Sequence, residues 1–429
     1  MKVLLTEPPV PVSQTPSPPL GLGYLASHLE NKGHEVKLID PVVLKYKTKH
    51  LTKEIKRFNP DVLGLSAMTP HIYDALSIIE YAKINNPNCL TVLGGPHPTL
   101  LAKDTLKESK YLDLIVRGEG EITLAELLDK KNREEWKDIK GISWQNNGKV
   151  YETENREMIK NLDELIYPAY HLLPMDKYKV KYFDADLFEK RGQQYGTMFT
   201  SRGCPSDCAF CASCRIWGRT WRSRTPEKVV DELKLLVEKY NKRVIKFIDD
   251  TFTLNINRAK EICNLIKKEK LDISLICITR VDTFNKEIAD ALKKAGCFLV
   301  FFGIESGVQK TLDYLNKGFK LRQAEKAVNI AQEAGFQVIS GFIIGVPGET
   351  KEDINTTIKF AKKLKLRSAK FFILTPYPGT KVYEMTDKEN MILTKDWSEY
   401  TLHTSIIDLP DITRKELLSL KRKAHFKTM

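Results

Sequence analysis

The sequence predicts an α/β protein throughout, with a doubly wound parallel sheet in its first third and a second strand–helix alternation toward its C-terminus. Short β-rich runs alternate with helical patterns over residues 1–135, and six further apolar runs, again separated by helical stretches, fill residues 191–385. Such alternation favours parallel sheets, with ligands held at the carboxyl ends of the strands. The third observation is local: "SRGCPSDCAFCASC", residues 201–214, holds four of the eight cysteines.

Bulk properties narrow the function. A chain of 429 residues holds two or three domains, each with enough sequence for its own core. Hydrophobic residues at 42% and charged residues at 29% are ordinary for a globular protein. No run of about 18 apolar residues is present, so no membrane span is expected. The N-terminus "MKVLLTEPPV" lacks the apolar stretch of a signal peptide and reads as a buried strand. A cytoplasmic location follows as an expectation, and there clustered cysteines favour metal binding or catalysis over disulfides. The formal charge of +13 is spread over Lys-rich stretches such as "KKLKLRSAKF". Solvated helix faces are its simplest reading, with an acidic protein partner or nucleic acid left open.

In the first domain, 1–135, the expected strands are 2–8, 34–41, 61–67, 90–96 and 113–121. Their following loops, "TEPPVPVSQTPSPPLGLG", "SAMTPHI" and "GGPHPT", are rich in Gly, Pro and small hydroxyl residues. Backbone there can approach a large flat or phosphate-bearing ligand. Together with "RGEGE", these loops resemble the Rossmann-like cobalamin-binding domain that precedes many radical S-adenosylmethionine (SAM) enzymes. The matching positions are Ser66 and Thr69 after the third strand, then Gly94, Gly95 and His97 after the fourth. Other cobalamin domains carry D-x-H-x-x-G after the first strand, and its His ligates cobalt. This loop has no His, as in the radical subgroup, which implies cobalt without a lower His ligand. His97 is expected near the nucleotide tail rather than on cobalt.

Residues 136–190 read as an ordered connector. "GISWQNNGKVYETE" has the pattern of a hairpin with an Asn-Asn-Gly turn, and Pro168 and Pro174 break any later helix.

The cysteine cluster lacks the second C-x2-C pair of a zinc ribbon and the order of a ferredoxin run. Cys204, Cys208 and Cys211, spaced C-x3-C-x2-C, instead match the signature of the radical SAM superfamily. The resemblance implies three thiolates on a 4Fe–4S cluster whose fourth iron stays open to chelate SAM. It also implies a partial (β/α)6 barrel over 191–385, with strands near 197–203, 244–252, 274–282, 298–307, 337–350 and 369–380. "PEKVVDELKLLVEKY", with Pro226 just inside its start, is one of the intervening helices. Residues 386–429 remain as a short C-terminal segment.

Residue by residue, Phe210 resembles the aromatic position near the adenine. Asp249 and Asp250 in "FIDDTF" stand where relatives hold the methionine amino group or the structure around it. Arg280 in "ITRVD" resembles the partner of the SAM carboxylate, a bidentate task suited to guanidinium. Glu305 and Ser306 in "GIESG" resemble the polar pair near ribose and amine, and Gly345 lies in the motif "GFIIGVPGE" beside the adenine. Cys214 is left open as a structural thiol, a substrate-side residue or a fourth ligand. Cys89, Cys263, Cys277 and Cys297 read as buried small hydrophobes.

The resemblance thus implies three cofactors: a 4Fe–4S cluster, SAM and cobalamin. The chemistry it implies is methylation of an unactivated carbon through a 5′-deoxyadenosyl radical and methylcobalamin, with a ferredoxin or flavodoxin as electron donor. The substrate is open, a protein or peptide residue being one candidate. Cyclisation, oxidation or carbon–carbon coupling on the same domains is the alternative. A tRNA-modifying enzyme is a second, although no RNA-binding module is evident, so nucleic acid is not expected as a partner.

Overall fold

The computed structural model describes residues 1–10, 15–130, 132–146, 148–181 and 184–428. Part of the first loop and Asn147 of the hairpin turn lie outside the described residues. The chain divides into two compact units, one ending at Lys179 and the other beginning at Val180.

The first unit is built on five parallel strands: β1 (Lys2–Thr6), β2 (Glu35–Ile39), β3 (Val62–Ser66), β4 (Leu90–Gly94) and β5 (Leu114–Val116). Val3, Leu4, Leu63, Leu93 and Ile115 are fully buried, the pattern of a sheet covered on both faces. The strand order β2-β1-β3-β4-β5 reverses direction between β1 and β3, so the carboxyl ends there open a crevice. The fifth strand stops well short of the expected 113–121. Gly118, at φ +71°, turns the chain, and a helix begins at Gly120.

The hairpin expected in the connector is β6 (Ile142–Asn146) and β7 (Lys149–Glu152). Instead of standing apart, it extends the first sheet: β6 pairs antiparallel with β5, Ile115 opposite Ser143. It thereby supplies partners to backbone groups that β5 would otherwise leave bare. The chain then crosses the same unit, where Tyr178 donates to Asp40 Oδ2 at 2.5 Å. Pro168 packs so close to Gly23 that a Cβ there would lie 2.9 Å from the Pro168 side chain. The segment up to 179 is therefore part of the first unit, and residues from Val180 belong to the second.

The second unit contains β8 (Tyr195–Met198), β9 (Ser201–Arg202), β10 (Arg222–Ser223), β11 (Val244–Phe247), β12 (Ser274–Thr279), β13 (Cys297–Glu305), β14 (Gln337–Ile344) and β15 (Ser368–Ile373). Six of them form one parallel sheet in the order β15-β14-β13-β12-β11-β8, the open (β/α)6 arrangement. Val180, Leu187, Tyr195, Val244, Ile276, Leu299 and Ile339 form one of its core clusters. The outer helix Pro226–Glu238 starts as its sequence predicts, with the Thr225 side chain accepting from Lys228 N and Pro226 in the first turn.

The strand expected over 197–203 is broken. β8 ends at Met198, and β9 pairs antiparallel with β10 as a separate ribbon. Beyond β15, Ile373 N donates to Leu402 O, and the helix Arg414–Thr428 packs along β15. Among the described residues, no helix is long and apolar enough to cross a membrane.

Candidate active site

The cysteine loop leaves β9 at Gly203, whose φ of +85° suits glycine and whose added Cβ would collide with Thr220 O. Its course is then pinned by backbone bonds. Ala209 N donates to Leu315 O at 2.9 Å, Val382 N to Ala209 O at 2.9 Å, and Cys211 N to Cys208 O at 3.1 Å. Asp207 adds a charged tie to Lys381 at 2.5 Å. Cys208 is buried, while Cys204, Cys211 and Cys214 are partly exposed. The Cys214 thiol donates to Cys211 O at 3.4 Å.

The two aspartates at the end of β11 do different things. Asp249 is buried and spends both oxygens on the turn that breaks the predicted strand: Oδ1 accepts from Thr200 N at 2.7 Å, and Oδ2 from the Thr200 and Ser201 hydroxyls at 2.5 and 2.6 Å. Asp250 is exposed and accepts from Ser213 Oγ at 2.6 Å, tying the cysteine loop to β11. Burial raises the pKa of Asp249 while these hydrogen bonds lower it, leaving it above the ordinary carboxylate value.

Arg280, just beyond β12, reaches the same loop: its Nη1 lies 3.8 Å from Cys208 Sγ. Its Nε and Nη2 grip Asp282 at 2.9 and 2.8 Å. Glu305 ends β13 at φ +71°, beside a break in register between Gly303 and Glu305. A non-glycine residue held there is strained, as residues at functional sites often are. Its Oε1 is 3.1 Å from Lys317 Nζ, which in turn sits 5.6 Å from the centre of the Phe210 ring. Phe210, Asp250, Arg280, Glu305 and the cysteine loop therefore converge at the carboxyl ends of β11, β12 and β13.

Two predicted residues stand apart. Ser306 is fully buried; its hydroxyl lies 3.2 Å from Thr357 Oγ1 and accepts from Val308 N at 3.1 Å. It shapes the turn after β13 rather than facing the cysteine loop. Gly345, at φ +79°, faces the C-terminal helix: an added Cβ would lie 2.7 Å from Leu417. Its N–H donates to Glu349 Oε2 at 2.7 Å. Glu349 is 4% exposed, and its Oε1 has no hydrogen-bond partner among the described residues. Burial pushes its pKa up to about 7.

Sequence reasoning missed Lys317, Asp282 and Glu349. Lys317 in "NKGF" resembles an ordinary surface lysine, yet it is only 5% exposed. Its burial depends on β13 and the cysteine loop meeting around it.

In the first unit, all five predicted cofactor residues gather at the ends of β3 and β4. Ala67 N donates to Gly94 O at 3.0 Å, and His97 N to Ala67 O at 3.3 Å. Gly95 has φ +95°, and an added Cβ would lie 2.6 Å from Ser66 Oγ. His97 is buried, with Nδ1 3.2 Å from Thr69 Oγ1, and burial lowers its pKa to about 4. The imidazole is neutral at ordinary pH and braces the two loops.

These features suit the expected groups. Among the described residues, no three Cys, His, Asp or Glu side chains converge as a single ion requires. Three separate thiols on one braced loop, with Arg280 and Lys317 nearby to offset thiolate charge, match a multi-iron cluster. Gly95 lets the loops after β3 and β4 pack backbone to backbone, and this fixes the rim at the carboxyl ends of these strands, where a doubly wound sheet binds its ligand.

Comparison with known proteins agrees. The family model for the radical SAM superfamily matches residues 198–361, and that for the B12 binding domain matches residues 10–128. An uncharacterized methyltransferase of Pyrococcus horikoshii is 43% identical over 99% of this chain and 92% of its own length. An anaerobic magnesium-protoporphyrin IX monomethyl ester cyclase of Rubrivivax gelatinosus is 30% identical over 94% of this chain and 72% of its own. In structure, the radical SAM methyltransferase TsrM from Kitasatospora setae is similar with a TM-score of 0.74 at 17% identity, covering 100% of this chain and 81% of that one.

The chain belongs to the radical SAM enzymes that carry a cobalamin-binding domain. Within them it is of the methyltransferase type, and its cofactors are a 4Fe–4S cluster, SAM and cobalamin.

Proposed function

We propose that this enzyme methylates an unactivated carbon of its substrate, a residue of a protein or peptide being the candidate. The observation that carries the reading is the convergence of the three-cysteine loop with Asp250, Glu305 and Phe210, on a chain that also has the braced loops of β3 and β4. When bound, the cluster with SAM supplies a hydrogen-abstracting radical, and cobalamin supplies the methyl group.

The protein's own work is holding and excluding. Cys204, Cys208 and Cys211 hold the cluster. Asp250 and Glu305 offer carboxylates to the amine and ribose of SAM, with Phe210 beside its adenine. Ser66, Thr69, Gly94 and Gly95 give cobalamin a close backbone approach, and His97 keeps their loops in register. A ferredoxin or flavodoxin delivers single electrons to the cysteine loop. The helix Arg414–Thr428 packs along β15, and Leu402 O accepts from Ile373 N, so this part of the C-terminal segment belongs to the barrel.

The test is product stoichiometry. Methyl transfer consumes two SAM molecules per turnover, yielding S-adenosylhomocysteine and 5′-deoxyadenosine in equal amounts. Methyl-labelled SAM must label the product. 5′-Deoxyadenosine without matching S-adenosylhomocysteine would replace methyl transfer with cyclisation, oxidation or coupling.

A further inference from the structure

Arg280 carries more of the site than a contact to SAM would require. A guanidinium has five N–H donors arranged along two bidentate edges. Its side edge, Nε with Nη2, is taken by Asp282 at 2.9 and 2.8 Å. Its end edge is divided: Nη2 also donates to Lys317 O at 2.6 Å, and Nη1 points to Cys208 Sγ at 3.8 Å. The Phe319 ring lies 5.8 Å away, and the residue is only 8% exposed. Neither edge is left to form the paired N–H···O bonds of an arginine–carboxylate clamp. The SAM carboxylate expected to bind here would have to displace one of these partners.

We propose that Arg280 is a positioning residue for the cluster rather than a carboxylate clamp: it donates to the sulfur of Cys208 and so raises the cluster's reduction potential, with Asp282 fixing the guanidinium's orientation. Reduction adds an electron, part of whose charge falls on the ligand sulfurs. A hydrogen bond to such a sulfur stabilises the reduced form more than the oxidised one. Because Arg280 is buried, solvent ions screen its charge only weakly. Asp282 turns Nη1 toward the sulfur, and Lys317 O prevents the fork from rotating away.

The inference rests on Cys208 being a cluster ligand, and that reading can fail separately: Cys208→Ala retaining four irons would refute it without any measurement on Arg280. The test uses anaerobically reconstituted full-length enzyme without SAM, with the cluster titrated potentiometrically and followed by electron paramagnetic resonance. Arg280→Gln, which removes the charge, is expected to lower the reduced-to-oxidised ratio at fixed potential at least tenfold, about 59 mV for a one-electron couple. Arg280→Lys keeps a charge but cannot fork between Asp282 and the sulfur, so an intermediate shift is expected. Enzyme grown on 15N-arginine should show a weak nitrogen coupling to the reduced cluster that both variants lose.

An unchanged potential in both variants, with SAM affinity lowered instead, would overturn the proposal and restore the carboxylate role. If Arg280→Gln fails to hold four irons, Arg280→Lys carries the measurement. Loss of the irons in both would also overturn it, because Arg280 would then be needed to build the loop rather than to tune it.

Discussion

Asp249 and Thr200 are joined twice: the Thr200 N–H donates to Oδ1 at 2.7 Å and its hydroxyl to Oδ2 at 2.5 Å. The pair sets the turn from β8 into the cysteine-bearing segment. Arg258 locks the other side of that turn, donating from Nη2 to Thr200 O at 2.7 Å. Asp249→Ala would strand three buried donors on Thr200 and Ser201. We expect it to cost about 3 kcal/mol in urea unfolding of the metal-free protein, and reconstituted protein should hold less iron. A variant with wild-type stability would show that the turn does not need its aspartate.

The cysteines divide three to one. Cys204→Ala, Cys208→Ala and Cys211→Ala should each lose most of the cluster iron and all SAM cleavage. Cys214→Ala should retain about four irons, since its thiol already donates to Cys211 O. Loss of the cluster on replacing Cys214 alone would make it a fourth ligand and leave no open iron.

His97 braces Thr69 from inside the fold and does not project from a loop. The bound cob(II) form should therefore show no three-line nitrogen splitting from a protein histidine in electron paramagnetic resonance. His97→Gln should weaken cobalamin retention without altering that spectrum. A spectrum that loses axial nitrogen splitting in the variant would place the imidazole on cobalt.

Glu349 makes stability fall as pH rises. Its pKa is about 7 in the folded protein, raised by burial from 4.5. Below about pH 4.5 both states hold the proton and the carboxyl costs nothing. Between these values the folded state holds a proton that the unfolded state has released, so stability drops by up to roughly 1.4 kcal/mol per pH unit. Above the folded value the loss is complete, about 3 kcal/mol in all. Glu349→Gln keeps an acceptor for Gly345 N and should flatten this slope in denaturation measured from pH 5 to 8. Parallel pH profiles for variant and wild type would rule this out.

The cysteine spacing was legible because it is written along the chain, and the parallel strands because most are short, largely apolar runs between helical patterns. The hairpin was legible as a hairpin, but its union with β5 was not, since edge pairing depends on which backbone groups lie bare after folding. β9 and β10 are two residues each, too short to show any periodicity. Ser306 carried the right motif, yet its partner Thr357 lies 51 residues further on. Arg280 was legible as a residue but its surroundings were not: its sulfur and carbonyl partners are 72 and 37 residues away, and only the fold brings them to one guanidinium.

The seating of Leu417 against Gly345 also has a temporal side. The ribosome releases Cys204, Cys208 and Cys211 long before it makes the helix Arg414–Thr428 that covers Gly345 and lines β15. Domains fold as they emerge, N-terminal parts first. The first unit can thus finish while the cysteine-bearing half still lacks its outer wall. Through that interval Gly345 and the edge strand β15 stay uncovered, so the end of synthesis is the step that closes this side of the sheet.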